Sequence, residues 1–252
     1  MDLDESLKEY GRNPADFVRG QYELGHKIVV MGEKHNSSEH HGFICNLLRS
    51  LSRGNLKLGL ELNMTWQKRV DKYIATRGAS SDKYFEAGTR RGSGYGRILS
   101  AAAQVGIPVL CLDEGNLENK DEGMASRLCS RMCAPDEILV YVGGSHASSA
   151  DHRTGGILKR EFGDAKVFTV KQETEPSLYN PSSTYGFTAA LSKSVFGNSS
   201  LAFSLKDKRL RAVLEQIDQG TSSVIWGKPW YDSHDGFIYL AKDLEKIAVS
   251  RK

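Results

Sequence analysis

The sequence predicts an α/β fold with a mainly parallel central sheet flanked by helices. Short apolar, β-branched runs recur along the chain, and longer stretches with helical spacing of apolar residues lie between them. Continuous apolarity over a short run is typical of strands that are covered on both faces. Alternation of such runs with helices is typical of parallel sheets, because parallel neighbours need a long crossover connection.

The apolar runs predict six strands. They are residues 27–31, 57–62, 108–112, 138–142, 166–170 and 237–240. Titratable or polar residues follow each of the first five runs. In a parallel sheet the carboxyl ends of the strands lie on one edge, where ligands bind. We therefore expect the functional site at the C-terminal ends of the strands.

Helices are predicted between the strands, and two of them start at recognisable capping residues. Ser37 or Ser38 is placed to cap the first helix and Asn63 the second, since short polar side chains accept hydrogen bonds from the first free amides. The third helix ends before Pro108, which cannot continue it. The predicted helices span residues 38–52, 64–77, 95–106, 120–133, 154–162 and 206–219.

We expect residues 1–252 to form a single domain, because nothing in the chain is typical of a linker between two cores. Residues 1–24 are predicted to be a helical lead-in. Residues 173–205 interrupt the alternation, since they are rich in Ser, Asn, Tyr and Gly. A connection of this kind is predicted to be an irregular insertion or a lid over a site.

The composition is that of a globular protein without an obvious nucleic-acid or membrane partner. Hydrophobic residues make up 39% and charged residues 26% of the chain, and 34 basic against 31 acidic residues leave a net charge of +3. That balance is too even to require nucleic acid or a membrane surface. The polar N-terminus lacks an apolar signal core, and no run approaches the length of a membrane span. We expect a cytoplasmic protein, or one secreted into a host cell without a cleaved signal peptide.

Two Gly-x-x-His turns carry the functional prediction. The first runs from Gly32 to His35 and the second from Gly143 to His146, each directly after a predicted strand, and Glu61 ends a third strand. Glycine lets the chain turn sharply off a strand end, so that each histidine is aimed back over the edge of the sheet. One histidine in this place is commonly an ordinary loop residue. Two of them with a glutamate between them favour a functional site.

Two neutral imidazoles and a carboxylate are a common ligand set for a catalytic divalent ion, with one position left for water. We therefore predict a metal site formed by His35, Glu61 and His146, with an ion of the Mn, Co or Zn class. The ion would lower the pKa of the bound water and polarise a substrate oxygen. Glu33 is predicted to act beside these three catalytic residues, as a general base or as the partner of a ligand histidine.

Other polar residues are given less specific roles. His40 and His41 are predicted to be exposed on a helix, although one of them is close enough along the chain to approach the site. The glycine-rich, basic segment 90–97 is predicted to be a flexible loop, since no strand precedes it as in nucleotide-binding loops. Ser145 lacks the Gly-x-Ser-x-Gly context of a hydrolase nucleophile. His234 is predicted to be structural.

Three segments resemble a known superfamily: VVMGEKHNSSEHH at 29–41, LGLELN at 58–63 and VYVGGSHAS at 140–148. The superfamily contains the erythromycin esterases, the haem-binding ChaN proteins and the Tiki proteases. The resemblance covers roughly residues 25–240 and implies an EreA/ChaN-like α/β domain. It also implies that His35, Glu61 and His146 are metal or catalytic positions, with Glu33 beside them. Lys120 stands where ChaN-like chains tend to have arginine.

These residues lead to one main functional hypothesis and three alternatives. The main hypothesis is a metal-dependent hydrolase that cleaves an ester or peptide bond in a small molecule or peptide. A metal-free esterase would use His35 or His146 to activate water directly. A ChaN-like protein would bind haem, with tyrosines of the segment 173–205 as ligands. A bacterial toxin or secreted virulence effector would act on a host protein. No nucleic acid or membrane-spanning role is expected.

Overall fold

A computed structural model of the chain shows a seven-stranded sheet with helices on both faces. The residues that it describes are 2–35, 37–51, 54–79, 92–115, 118–132, 136–174, 185–194, 196–218, 224–225 and 228–241. The strands are β1 Ile28–Glu33, β2 Leu56–Asn63, β3 Val109–Asp113, β4 Glu137–Gly143, β5 Val167–Thr174, β6 Leu201–Ser204, β7 Val224–Ile225, β8 Lys228–Pro229 and β9 Gly236–Leu240. All six predicted strands are present.

The six helices predicted between the strands are present, and residues 185–193 form a further helix in the segment predicted to be irregular. The α-helices of the described residues are α1 Leu3–Tyr10, α2 Pro14–Glu23, α3 Ser38–Ser50, α4 Gln67–Ala75, α5 Gly92–Val105, α6 Lys120–Arg131, α7 Thr154–Phe162, α8 Tyr185–Lys193 and α9 Lys208–Asp218. Ser37 caps α3, since its side chain accepts from the amide of His40. Asn63 caps a short 3-10 turn that leads into α4. Both caps agree with the sequence-based assignment.

The strand order places the predicted site residues side by side. The order in the sheet is β3-β2-β4-β1-β5-β9-β6, and only the β6–β9 pair is antiparallel. β4 therefore lies between β2 and β1, and Glu33 is paired with Gly143. The carboxyl ends of β1, β2 and β4 meet at one edge, which confirms the predicted α/β class with a mainly parallel sheet.

Alternate residues of each strand enter two separate apolar layers, as the pleat of a strand requires. Val29 and Met31 of β1 face one layer, which is covered by α3 and α5. Ile28 and Val30 face the other, which is covered by α6 and α7. Burial on both faces explains why the strands are read as continuous apolar runs. It also holds the strand ends rigidly under the site.

Residues 173–205 differ from the predicted irregular segment. β5 continues to Thr174, residues 185–193 form α8, and residues 201–204 add the antiparallel strand β6. These elements form because Phe187 and Leu191 are buried in a third apolar cluster around Trp230. Packing of a few large side chains outweighs the polar composition. Residues 175–184 lie outside the described part of the chain, so a lid there stays a prediction.

The lead-in at the N-terminus consists of α1 and α2. Asp2 and Glu5 form a capping box at the start of α1. The side chains of Leu7 in α1 and Phe17 in α2 are buried in the apolar clusters beside the sheet. Among the helices of the described residues, none is both long and apolar enough to cross a membrane.

Candidate active site

The two Gly-x-x-His turns pack directly against each other. The amide of Gly144 donates to the carbonyl oxygen of Glu33 at 2.8 Å. A Cβ atom on Gly32 would lie 2.9 Å from the Cα of Gly144, closer than side-chain carbons approach backbone. Glycine is therefore required at this contact for steric reasons. The contact fixes His35 and His146 at the same edge of the sheet.

Glu33 is a buried carboxylate that accepts three hydrogen bonds from side chains. Its Oε1 accepts from Nδ1 of His35 at 2.8 Å and from the hydroxyl of Tyr95 at 2.9 Å. Its Oε2 accepts from Nε2 of His41 at 2.9 Å. Burial disfavours the charge, but the bonds from His35 and His41 outweigh it and hold the pKa of Glu33 well below its usual value.

An ionised Glu33 decides the form of the histidine beside it. The carboxylate can only accept, so Nδ1 of His35 carries the hydrogen and Nε2 of the neutral ring has the lone pair. The side chain of His35 is 44% exposed while that of Glu33 is fully buried. The ring of His35 is therefore partly exposed, with its Nδ1 held by the fixed charge of Glu33.

Glu61 lies at the centre of the site, at the end of β2. Its Oε2 accepts from the amide of Gly143 at 2.7 Å, and its Oε1 lies 2.7 Å from Nζ of Lys120. A Cβ on Gly143 would lie 3.1 Å from Nε2 of His35 and 3.3 Å from Oε2 of Glu61. Glycine at this position thus leaves open a small space that His35 and Glu61 share.

His146 forms a second histidine–carboxylate pair on the other side of Glu61. Its Nδ1 donates to Oδ1 of Asp121 at 2.9 Å, and its Nε2 lies 4.0 Å from Oε1 of Glu61. The amide and the hydroxyl of Thr154, the first residue of α7, also donate to Asp121, at 2.8 and 2.7 Å. Burial alone would raise the pKa of Asp121, but the hydrogen bonds from His146 and Thr154 lower it to about 2.

Lys120 connects the end of β2 to the end of β3. As the first residue of α6, it places Nζ 2.7 Å from Oε1 of Glu61 and 3.0 Å from Oδ2 of Asp113. Burial opposes its charge, but the hydrogen bonds to these two carboxylates outweigh that effect and raise the pKa of Lys120. The side chain is therefore a fixed ammonium group inside the site.

The structure brings together all four residues predicted to act, namely Glu33, His35, Glu61 and His146. The predicted metal site is not confirmed. Within the described ranges, no group of three or more His, Cys, Asp or Glu side chains is arranged to hold a metal ion. The reason is chemical, since the ammonium of Lys120 occupies Oε1 of Glu61, and a divalent ion beside it would be strongly repelled. The residues in this arrangement do not fit the predicted ion.

Two predictions about the surroundings of the site are wrong. His40 and His41 were expected to be exposed, but both are buried. Their spacing contained the signal, because Ile44 and Leu47 follow His40 at the intervals of one buried helix face. Nδ1 of His40 accepts from the amide of Lys34 at 2.9 Å, and burial lowers the pKa of His40 to about 4.

The glycine-rich segment 90–97 was expected to be a flexible loop. Residues 90 and 91 lie outside the described chain, whereas residues 92–97 begin α5. Gly94 lies against the ring of His41, and Tyr95 donates to Glu33. Gly94 therefore allows a close contact between α5 and α3. No local pattern connects these residues to Glu33.

His234 is also buried, as a structural role requires. Its Nδ1 lies 2.8 Å from Oγ of Ser233, and burial is the main cause that lowers its pKa to about 3. His152, by contrast, is exposed. The tyrosines expected to ligate haem are in the segment 173–205. Tyr179 and the side chain of Tyr185 lie outside the part of the chain that the structure describes.

Comparison with known proteins identifies one family and several similar structures. Residues 24–114 match the family described as haem-binding uptake, Tiki superfamily, ChaN. The matched stretch contains the first turn and Glu61 but ends before His146. No curated protein matches the chain.

Three solved structures illustrate the structural similarity. A protein from Bacillus cereus is similar over 94% of this chain and 96% of its own, with a TM-score of 0.62 and 10% identity. ChaN of Campylobacter jejuni, with cofacially bound heme, gives a TM-score of 0.48 at 15% identity over 62% of this chain and 86% of its own. The type III effector HopBA1 gives 0.46 at 16% identity over 64% of this chain and 83% of its own. The family match over residues 24–114 confirms the predicted resemblance to the ChaN and Tiki superfamily, and the similarity to the Bacillus cereus protein shows that the two chains share an α/β fold.

Proposed function

We propose that the chain is a hydrolase in which His35 activates a water molecule against an ester or peptide carbonyl, with no metal in the step. The observation that carries the proposal is the pair formed by Glu33 and His35. The pair holds Nδ1 of His35, and Nε2 of the same ring borders the space shared with Glu61. This is the metal-free alternative predicted from the sequence, and it is preferred because the ammonium of Lys120 contacts Glu61.

His35 has the three properties that a general base needs. Its Nε2 has the lone pair, because Nδ1 donates to Glu33. Its side chain is accessible, so water and substrate reach the ring. When Nε2 takes a proton from water, the positive ring lies beside the buried charge of Glu33, which stabilises it as the carboxylate of a Ser-His-Asp triad does.

His146 supplies the complementary proton transfer. Asp121 holds its Nδ1 at 2.9 Å, and its Nε2 lies on the side of Glu61, 4.0 Å from Oε1. In the proposed reaction the water oxygen bonds to the carbonyl carbon while its proton goes to His35. The bond from that carbon to the leaving oxygen or nitrogen then breaks, and a protonated His146 gives its proton to the leaving atom. Solvent restores both rings.

Glu61 and Lys120 have positioning roles in this mechanism. Glu61 accepts from the amide of Gly143 and from Lys120, and so ties β2 to the second turn and to α6. The two side chains are buried together, and the contact with Glu61 contributes to the raised pKa of Lys120. We expect the loss of either side chain's charge to displace His146 from its place beside Glu61.

The test is hydrolysis of a panel of nitrophenyl esters and fluorogenic peptides by chelator-treated protein. We expect activity without added metal, and a loss of about 100-fold or more in His35→Ala, the usual range for loss of a general base. His152→Ala is the matched control, since His152 is an exposed histidine near the second turn. Activity that returns only with Mn²⁺, Co²⁺ or Zn²⁺ would support the metal-dependent hydrolase instead. Full activity in His35→Ala would rule out the proposed base.

Haem binding is the second candidate, because the matched family is described as haem-binding uptake. Titration of the protein with haem, followed by absorption spectroscopy, would show a Soret band if this candidate is correct. Action as an effector on a host protein also stays a prediction. Expression of the wild type and of His146→Ala in host cells tests it, and equal effects would show that the site is not responsible.

A further inference from the structure

The ammonium of Lys120 lies between two carboxylates in a nearly closed part of the site. Nζ is 2.7 Å from Glu61 and 3.0 Å from Asp113, and the side chains of these three residues are 11% exposed or less. Nε2 of His146 lies 4.0 Å from the oxygen of Glu61 that Lys120 contacts. One cation thus lies between two anions, and an imidazole lies next to one of these anions.

Apart from the ammonium, these groups are the donors that a divalent ion selects. Carboxylate oxygens and an imidazole nitrogen bind such ions at about 2.0–2.2 Å. The present distances from Nζ to the oxygens exceed this by less than about 1 Å, so small side-chain shifts would close the set. The ammonium and a divalent ion compete for the same oxygens and repel each other.

We propose that Lys120 is the resident cation of this site, that it excludes divalent metal ions, and that its removal creates a metal site. Without the ammonium, Glu61 and Asp113 would be two buried carboxylates that face each other. Such a pair is relieved only by a proton or another cation. The inference rests on the same site as the proposed function. It depends on the contacts within that site and not on the hydrolysis reaction.

The experiment is a calorimetric titration of chelator-treated protein with MnCl₂, with thermal unfolding measured in parallel. We expect no change in the wild type. Lys120→Met is expected to bind Mn²⁺ at least about ten-fold more tightly and to show a higher melting temperature with the ion. Addition of Glu61→Gln to Lys120→Met is expected to remove both effects.

Lys171→Met is the matched control. Lys171 lies 3.0 Å from Glu173 at the same edge of the sheet, and its side chain is 13% exposed, close to the value for Lys120. Its loss also leaves a buried carboxylate without its lysine, but only one carboxylate contacts Lys171 in the described structure. We expect this variant to bind Mn²⁺ no better than the wild type.

Several outcomes would overturn the inference. The inference fails if Lys120→Met binds Mn²⁺ no more tightly than the wild type or Lys171→Met does. If Lys120→Met does not fold, the same titration of the wild type and of Lys120→Arg tests the inference, since both proteins retain a cation between the carboxylates. Mn²⁺ binding by either protein that disappears with Glu61→Gln would show that the ammonium does not exclude the ion. Neither result depends on hydrolysis, so failure of the proposed function is detected separately.

Discussion

Gly94→Ala gives a sharp test of the network behind His35. Gly94 lies in α5 against the imidazole of His41 in α3. An added Cβ would lie 1.9 Å from Cε1 and 2.0 Å from Nδ1 of that ring. Ordinary contact requires the ring to move by about 1.4 Å or more. A shift of this size disrupts the 2.9 Å hydrogen bond from His41 to Glu33.

The expected cost follows from three contributions. Loss of a hydrogen bond to a charged group costs about 1.5–3 kcal/mol. Overpacking of a buried contact costs about 1–3 kcal/mol. Alanine in place of glycine in a helix returns up to about 1 kcal/mol. The free energy of unfolding of Gly94→Ala should therefore fall by about 2–5 kcal/mol, as measured by urea unfolding at neutral pH.

Gly42→Ala is the matched control. Gly42 is the neighbour of His41 in α3, and a Cβ there would meet nothing within 4 Å. This variant should be slightly more stable than the wild type, by up to about 1 kcal/mol. The proposed cause is tested in a His41→Ala background, where the clash is absent and Gly94→Ala should also be neutral or stabilising. An equal loss of stability in both backgrounds would refute the role of His41.

The remaining predictions concern ionisation within and beside the site. The pKa of Asp121 is lowered to about 2, so its carboxylate stabilises the folded state above its unfolded pKa of about 3.9 and loses that contribution as the pH falls towards 2. The difference in the free energy of unfolding between the wild type and Asp121→Asn should shrink by about 2 kcal/mol over that range. An unchanged difference would contradict the pairing with His146. The pKa of buried His40 is lowered to about 4, so the unfolded chain binds a proton first and stability falls as the pH drops from about 6.5 to about 4. His40→Asn, which keeps an acceptor for the amide of Lys34, should remove about 3 kcal/mol of this dependence in acid unfolding curves. Nitrogen-15 spectra should show that the neutral forms of His35 and His146 carry their hydrogen on Nδ1, and a neutral ring with its hydrogen on Nε2 would contradict the carboxylate pairing of that histidine.

The local sequence was sufficient for most of the fold. Val29 and Met31 alternate with Ile28 and Val30 between two apolar layers, so this part of β1 had to be continuously apolar. β6 could not be recognised, because its four residues become a strand only by pairing with β9. Such a short edge strand depends on its neighbour and not on its own pattern.

The chain by itself also determined where the site lies. Both turns and Glu61 follow apolar runs, and parallel strands deliver their carboxyl ends to one edge. What the tertiary structure decided is which groups meet there. Asp121 reaches His146 across 25 positions and Tyr95 reaches Glu33 across 62. Lys120 contacts Glu61 only because α6 begins beside β2, and its ammonium changes the predicted metal site into a site of paired charges. The spacing of apolar residues indicates which face of a single helix or strand is buried, whereas these contacts depend on how separate elements pack.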